Sequence, residues 1–129
     1  MNNTNGCFCG SMICFQDCCQ KYIDGIEEAP TALALMKSRY SAYATHNAEY
    51  LWNTSHISQR KYYSKSEILH WATANQWLKL EIISATETTV EFKAFFVDQS
   101  RQNHVHHEFS SFKQENGSWF YLDGKFEQN

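Results

Sequence analysis

The apolar residues of this chain change their spacing once, near Asn75, from a helical period to alternation, and that change restricts the fold more than any other feature. Leu33, Met36, Tyr40 and Tyr43 recur at helical intervals with Lys37, Ser41 and Thr45 on the other side, which predicts a core helix entered through Pro30-Thr31. Asn47 is placed to cap a second, shorter helix carrying Tyr50 and Leu51, and Ser64-x-x-Glu67 is a capping box ahead of a third with Ile68, Leu69 and Trp71. Beyond Asn75, Leu78, Leu80 and Ile82 fall on one face of a strand, as do Val90, Phe92, Ala94 and Phe96 on the next. Two further strands, about His104 to Gln114 and Ser118 to Asp123, meet at Asn116-Gly117, a pair suited to a tight hairpin. Helices first and strands last predict an α+β fold with helices on one face of an antiparallel sheet.

All five cysteines lie within residues 7 to 19: Cys7 and Cys9, then Cys14, then the adjacent Cys18-Cys19. Core packing does not require such clustering, whereas two close pairs joined by a turn at Gly10-Ser11 bring four sulfurs to one tetrahedral ion. Zn2+ accepts four thiolates in a closed site, so Cys7, Cys9, Cys18 and Cys19 are the candidate ligands and Cys14 a spare thiol. A disulfide knot is the competing reading, and an odd count leaves one of its sulfurs unpaired. Residues 1–5 are polar and lack the apolar stretch of a secretory signal, which predicts a reducing cytoplasm, where clustered cysteines bind metal more often than they bridge. A short helix begun near Phe15 ends at Asp24-Gly25, dividing a module of residues 1–25 from a body of residues 26–129.

The run Cys7-x-Cys9-Gly10-Ser11, followed by Phe15 and Cys18-Cys19, resembles the SEC-C motif, a small zinc-binding module also found at the C-terminal end of the SecA translocase ATPase. Further segments are similar, in order, to the bacterial YchJ family: Leu35 to Tyr43, Ala48-Glu49-Tyr50-Leu51, Trp77-Leu78-x-Leu80, Val90-Glu91-Phe92, Glu108-x-Ser110-x-Phe112, and Glu115-Asn116-Gly117-x-Trp119 through Gly124. The resemblance implies an N-terminal zinc knuckle followed by a nuclear transport factor 2-like, or cystatin-like, domain whose curved sheet wraps over helices. It implies no established reaction. Translocase modules commonly carry lysines between their cysteine pairs, where this chain reads Met12-Ile13-Cys14-Phe15-Gln16-Asp17. The charge that would steer such a knuckle to an acidic partner is missing, and Phe8, Met12 and Ile13 offer instead an apolar patch that either packs on the body or meets another protein. The residues after Gly124 hold no second SEC-C motif, which many YchJ-like chains carry there.

A formal net charge of −3 gives no basic field for nucleic acid or an anionic membrane, and no apolar run approaches the ~20 residues of a bilayer span. Aromatic residues make up 16% of the chain, so its core is expected to rest on rings. P-loop, nucleophile-elbow, dinucleotide and H-E-x-x-H motifs are missing from the sequence.

Two functions from different classes remain. In the first, the protein is a noncatalytic zinc-containing module that binds a protein partner through the knuckle or a small ligand in the cavity that a curved sheet over helices usually leaves. In the second, the cavity is the site of an isomerase or dehydratase, with Glu108 as base and Arg39, Tyr40 or His56 assisting. Glu108, Ser110 and Phe112 share a strand face with His106, and Arg39 is the expected carboxylate partner of Glu108, a pairing that satisfies a buried acid as readily as it serves catalysis. His104, His106 and Glu108 stand at the spacing of a second metal site, although alternate strand residues sit about 7 Å apart and converge on one ion only if the strand bends. His56 is equally a loop or cap histidine; it stands in Thr54-Ser55-His56-Ile57, where the YchJ family tends to show Thr-Trp-His-Pro.

Overall fold

The computed structural model describes residues 6–126, so the polar start at residues 1–5 lies outside the described residues. A 3-10 turn at Phe15–Asp17 leads into α1 (Gln20–Ile23), and α2 (Ala32–Ala44), α3 (Ala48–Asn53), a 3-10 turn at Ile57–Tyr62 and α4 (Lys65–Ala74) follow. The sheet comprises β1 (Gln76–Ala85), β2 (Thr89–Val97), β3 (Asn103–Glu115) and β4 (Ser118–Phe126), antiparallel in the order β1-β2-β3-β4. Among the described residues no helix is long and apolar enough to cross a membrane.

Local chemistry sets the element ends. Thr31 caps α2 by accepting from the Ala34 N–H at 3.0 Å, Asn47 caps α3 through Tyr50, and Ser64 and Glu67 close both halves of the capping box on α4. Asn116 and Gly117 both hold positive φ, 54° and 84°, which matches the right-handed twist of the strands they join.

The inner face of β2 carries Val90, Phe92, Ala94 and Phe96, all buried as the alternation predicts. β1 departs from it. A bulge between Trp77 and Lys79 inserts one residue and resets the phase, so Trp77 joins Leu80 and Ile82 inside while Leu78 is 52% exposed. Trp77 becomes the hub of an aromatic group, with Tyr40, Tyr43, Trp71 and Phe96 all within 6.2 Å between ring centroids.

Helix α2 lies on the inner face, touching β1, β2 and β4, and buries Leu35, Met36 and Tyr40 there. Its other side is covered as well. Ser41, expected outside, is fully buried because the cysteine module packs over it, with Cys7 Sγ 3.5 Å from Ser41 Oγ. Cys7, Cys9 and Cys19 share one apolar core with Leu35, Met36 and Leu80, so the cluster is anchored to the helix-sheet body. Helix α4 fully buries only Ala72; it packs mainly on α3, and Leu69 and Trp71 stay 44% and 43% exposed.

Candidate functional site

The cysteine cluster is built by two tight turns. Gly10, at φ 99°, lets the chain fold back so that its N–H reaches the Cys7 carbonyl at 3.0 Å, presenting Cys7 and Cys9 together. The 3-10 turn ends at Cys18, and Cys19 opens α1. The Sγ atoms of Cys7, Cys9, Cys18 and Cys19 all lie within 4.8 Å of one another, and Cys9 Sγ stands 3.8 Å from Cys18 Sγ. A tetrahedron with metal–sulfur bonds of about 2.3 Å has edges of about 3.8 Å, so this donor set fits one zinc-sized ion. The thiols do not ionise independently: hydrogen bonds from Cys19 and Cys9 pull the Cys7 thiol far down, and its hydrogen bond to Cys7 pushes Cys19 far up. Ser11 Oγ lies 3.2 Å from Cys18 Sγ and Ser41 Oγ beside Cys7, each placed to donate to a thiolate. Cys14 stands apart, exposed, with its thiol on Asp17 Oδ2 at 3.3 Å. Phe8, Met12 and Ile13 are exposed, so the apolar patch does not pack on the body.

Between the helices and the inner face of β2, β3 and β4 lies a cavity of about 320 Å³. Glu108, Ser110 and Phe112 reach it from β3, Tyr121 from β4, Phe92 from β2, Arg39 and Tyr43 from α2, and Trp71 from α4. The Glu108 carboxylate is buried and has three partners: Ser110 Oγ donates to Oε2 at 2.6 Å, Tyr121 donates to the same oxygen at 2.7 Å, and His106 Nε2 lies 2.7 Å from Oε1. Burial alone would push its pKa up, but hydrogen bonds from His106, Ser110 and Tyr121 together hold it below the usual carboxylate value. Desolvation and the Glu108 charge push the Tyr121 phenol well up, which keeps it a donor.

The expected Arg39–Glu108 pair does not form. Arg39 turns toward the loop after α3, where Nη1 donates to the Leu51 carbonyl at 3.0 Å, to Thr54 Oγ1 at 2.7 Å and to Ser55 Oγ at 3.4 Å. That loop is held by β4, since Ser55 bridges Tyr121 in parallel and the His56 N–H donates to the Tyr121 carbonyl at 2.8 Å. The guanidinium stacks 4.5 Å over the Tyr121 ring, so one tyrosine stands between Arg39 and Glu108.

His56 is not among the residues lining the cavity; its Nδ1 caps the 3-10 turn by accepting from the Ser58 N–H at 3.2 Å, and its Nε2 faces Glu115. Tyr40 lines a smaller adjoining recess of about 70 Å³, and burial pushes its phenol up to about 12. His104 pairs with Asp98 at 2.7 Å and stacks on Phe96, which draws it away from His106. Among the described residues only the four cysteines gather three or more ligand-type side chains, so the second metal site is not formed.

Of the cavity residues, Ser55, Tyr63 and Tyr121 were given no site role from the sequence. Tyr121 is signalled by alternation from Trp119, which also faces inward. Tyr63 carries no such signal, because it follows an irregular segment; its hydroxyl is buried in the cavity wall without a hydrogen-bond partner.

Fold and site together define an α+β protein with an N-terminal four-cysteine cluster and helices packed on a four-stranded antiparallel sheet, broadly of the nuclear transport factor 2 and SEC-C kind. The family described as YchJ, middle NTF2-like domain, matches residues 31–124, and the chain belongs to this YchJ-like, UPF0225 family. It is 41% identical to a UPF0225 protein of Photorhabdus laumondii, over 94% of this chain and 80% of the relative. A UPF0225 protein of Geobacter sulfurreducens is 34% identical over 94% and 79%. Among solved structures, a SEC-C motif containing protein from Rhodopseudomonas palustris superposes with a TM-score of 0.85 at 30% identity, covering 95% of this chain and 98% of that one. A sec-c motif containing protein from Psychrobacter arcticus gives 0.73 at 28% identity, covering 100% and 78%. None of these names carries a reaction.

Proposed function

We propose that the protein is a noncatalytic binding module in which Cys7, Cys9, Cys18 and Cys19 hold Zn2+ as a structural staple and the cavity under the sheet takes a small ligand. Residues 1–25 are then the metal module and residues 26–129 the binding body. Four thiolates leave zinc no open position, so the metal's work is folding, by analogy worth about 10 to 16 kcal/mol at neutral pH. The reading includes a reducing cytoplasm, supported by four cysteines that converge on one point instead of pairing. A protein partner would meet the exposed Phe8, Met12 and Ile13 of the knuckle.

The observation that carries the binding reading is the state of Glu108 beside an open cavity. A general base needs a raised pKa and a free lone pair aimed at substrate, whereas this carboxylate already accepts from Ser110 and Tyr121, sits against His106, and is held low. That weighs against the isomerase or dehydratase alternative, in which Arg39, Tyr40 or His56 would assist. The test is a fragment library titrated into the zinc-loaded, isotope-labelled chain and followed by NMR. Binding moves the resonances of Tyr43, Phe92 and Ser110 as a set without turnover; a library that leaves them all in place, or a fragment that is chemically converted, sinks the reading.

A further inference from the structure

Arg39 is 8% exposed, yet no carboxylate lies within 4.0 Å of it among the described residues. All three of its hydrogen bonds leave from Nη1, so Nε and Nη2 donate to nothing among the described residues. A buried guanidinium is ordinarily matched by an acid, because a desolvated charge without a counter-charge is costly. The acid in the same cavity, Glu108, is occupied by its own donors. The Tyr63 hydroxyl lines the same cavity and is buried without a partner, although buried hydroxyls are nearly always bonded. Tyr43 lies within electrostatic reach of Arg39, Glu108 and Tyr63, so these groups converge on one space.

We infer that the cavity binds a small monocarboxylate, its carboxylate received by the free edge of Arg39 and by the Tyr63 hydroxyl, its apolar body lying among Tyr43, Trp71, Phe92 and Phe112. The inference rests on the ligand-binding reading of this cavity. A guanidinium fork matches the two oxygens of a carboxylate, and a phenol adds a third donor. One negative charge is the right complement, because among the described residues Arg39 is the only lysine or arginine lining the cavity and the Glu108 carboxylate makes a second negative charge, as on a phosphate monoester, more unfavourable still. The ring-lined remainder favours a flat or slender apolar body, and about 320 Å³ is near the small end of ligand pockets.

The test titrates the zinc-loaded full chain with benzoate, phenylacetate, trans-cinnamate and hexanoate, each beside its primary amide, following the Arg39 Nε–H and cavity ring resonances by NMR. At least one acid binds about tenfold more tightly than its amide, as expected for charge-assisted hydrogen bonds. Tyr63→Phe removes a hydroxyl that bonds nothing in the protein, so it keeps the melting temperature and weakens the acid about fivefold. Arg39→Lys, which keeps the charge and loses the fork, weakens the acid without raising the amide. Acid and amide binding equally would overturn the carboxylate assignment and leave the ligand-binding reading standing. Failure of every acid and every amide to move a cavity resonance would overturn both. A Tyr63→Phe protein that melts markedly lower would show the hydroxyl to be structural and remove it from the site.

Discussion

Glu108 and Gly124 meet across the β3–β4 pair: the carboxylate fills the space that a Cβ at position 124 would occupy, and the Tyr121 hydroxyl crowds the same point at 2.7 Å. A free glutamate would swing aside, but this one is held by Ser110, Tyr121 and His106. Gly124→Ala is therefore expected to cost about 1–3 kcal/mol in urea denaturation, as overpacking does. Paired with Glu108→Ala the cost should shrink, because the atoms it displaces are gone. Simple additivity of the two variants would mean that the residues do not touch.

The depressed pKa of Glu108 gives a pH dependence with a defined sign. Its carboxyl titrates near 4.5 in the unfolded chain and lower in the folded one, so the folded state binds fewer protons. The stabilisation is fully present above about pH 4.5 and is lost as the pH falls through the folded value. Glu108→Gln should be less stable near neutrality by about 1–3 kcal/mol, and its stability should fall less than wild type between about pH 6 and about pH 3.5. Glu49, Asp98 and Glu115 are also held low but stay in both proteins, so the difference isolates Glu108. Parallel curves for the two proteins would contradict the assignment.

The bulge in β1 exchanges the roles of two neighbours. Trp77 donates its indole N–H to the Ala72 carbonyl at 3.0 Å and packs in the aromatic group, while Leu78 faces solvent. Trp77→Ala should cost about 3 kcal/mol and Leu78→Ala about 0.5 kcal/mol or less. The reverse order in thermal denaturation would restore the unbroken alternation.

That pair also marks what the sequence could and could not reveal. Thr31, Asn47, Ser64 with Glu67, and Asn116-Gly117 act through neighbours a few residues away, so capping and turn chemistry were legible from spacing alone. The same holds for the face shared by Glu108, Ser110 and Phe112, because nothing in β3 interrupts the alternation between them. One extra residue, Leu78, was enough to turn Leu78 outward and Trp77 inward while Leu80 and Ile82 face the core as their alternation predicts, and bulges carry no reliable composition. Ser41 looked like a solvent position because its cover comes from a cysteine module 34 residues upstream. Arg39 was placed correctly on α2 and given the wrong partner, since a long side chain's final contacts depend on where the loop at Leu51, Thr54 and Ser55 is pinned by β4.

The account divides the labour: the cysteines hold metal and structure, and the cavity binds. The division is tested most directly by zinc content and melting temperature measured together on wild type, Cys14→Ser and Cys18→Ser. Cys18 Sγ belongs to the converging group and Cys14 Sγ does not. Wild type and Cys14→Ser should each carry about one zinc per chain and melt together, while Cys18→Ser loses the metal and melts at lower temperature. A Cys18→Ser protein that keeps its zinc and its melting temperature would contradict the four-cysteine staple.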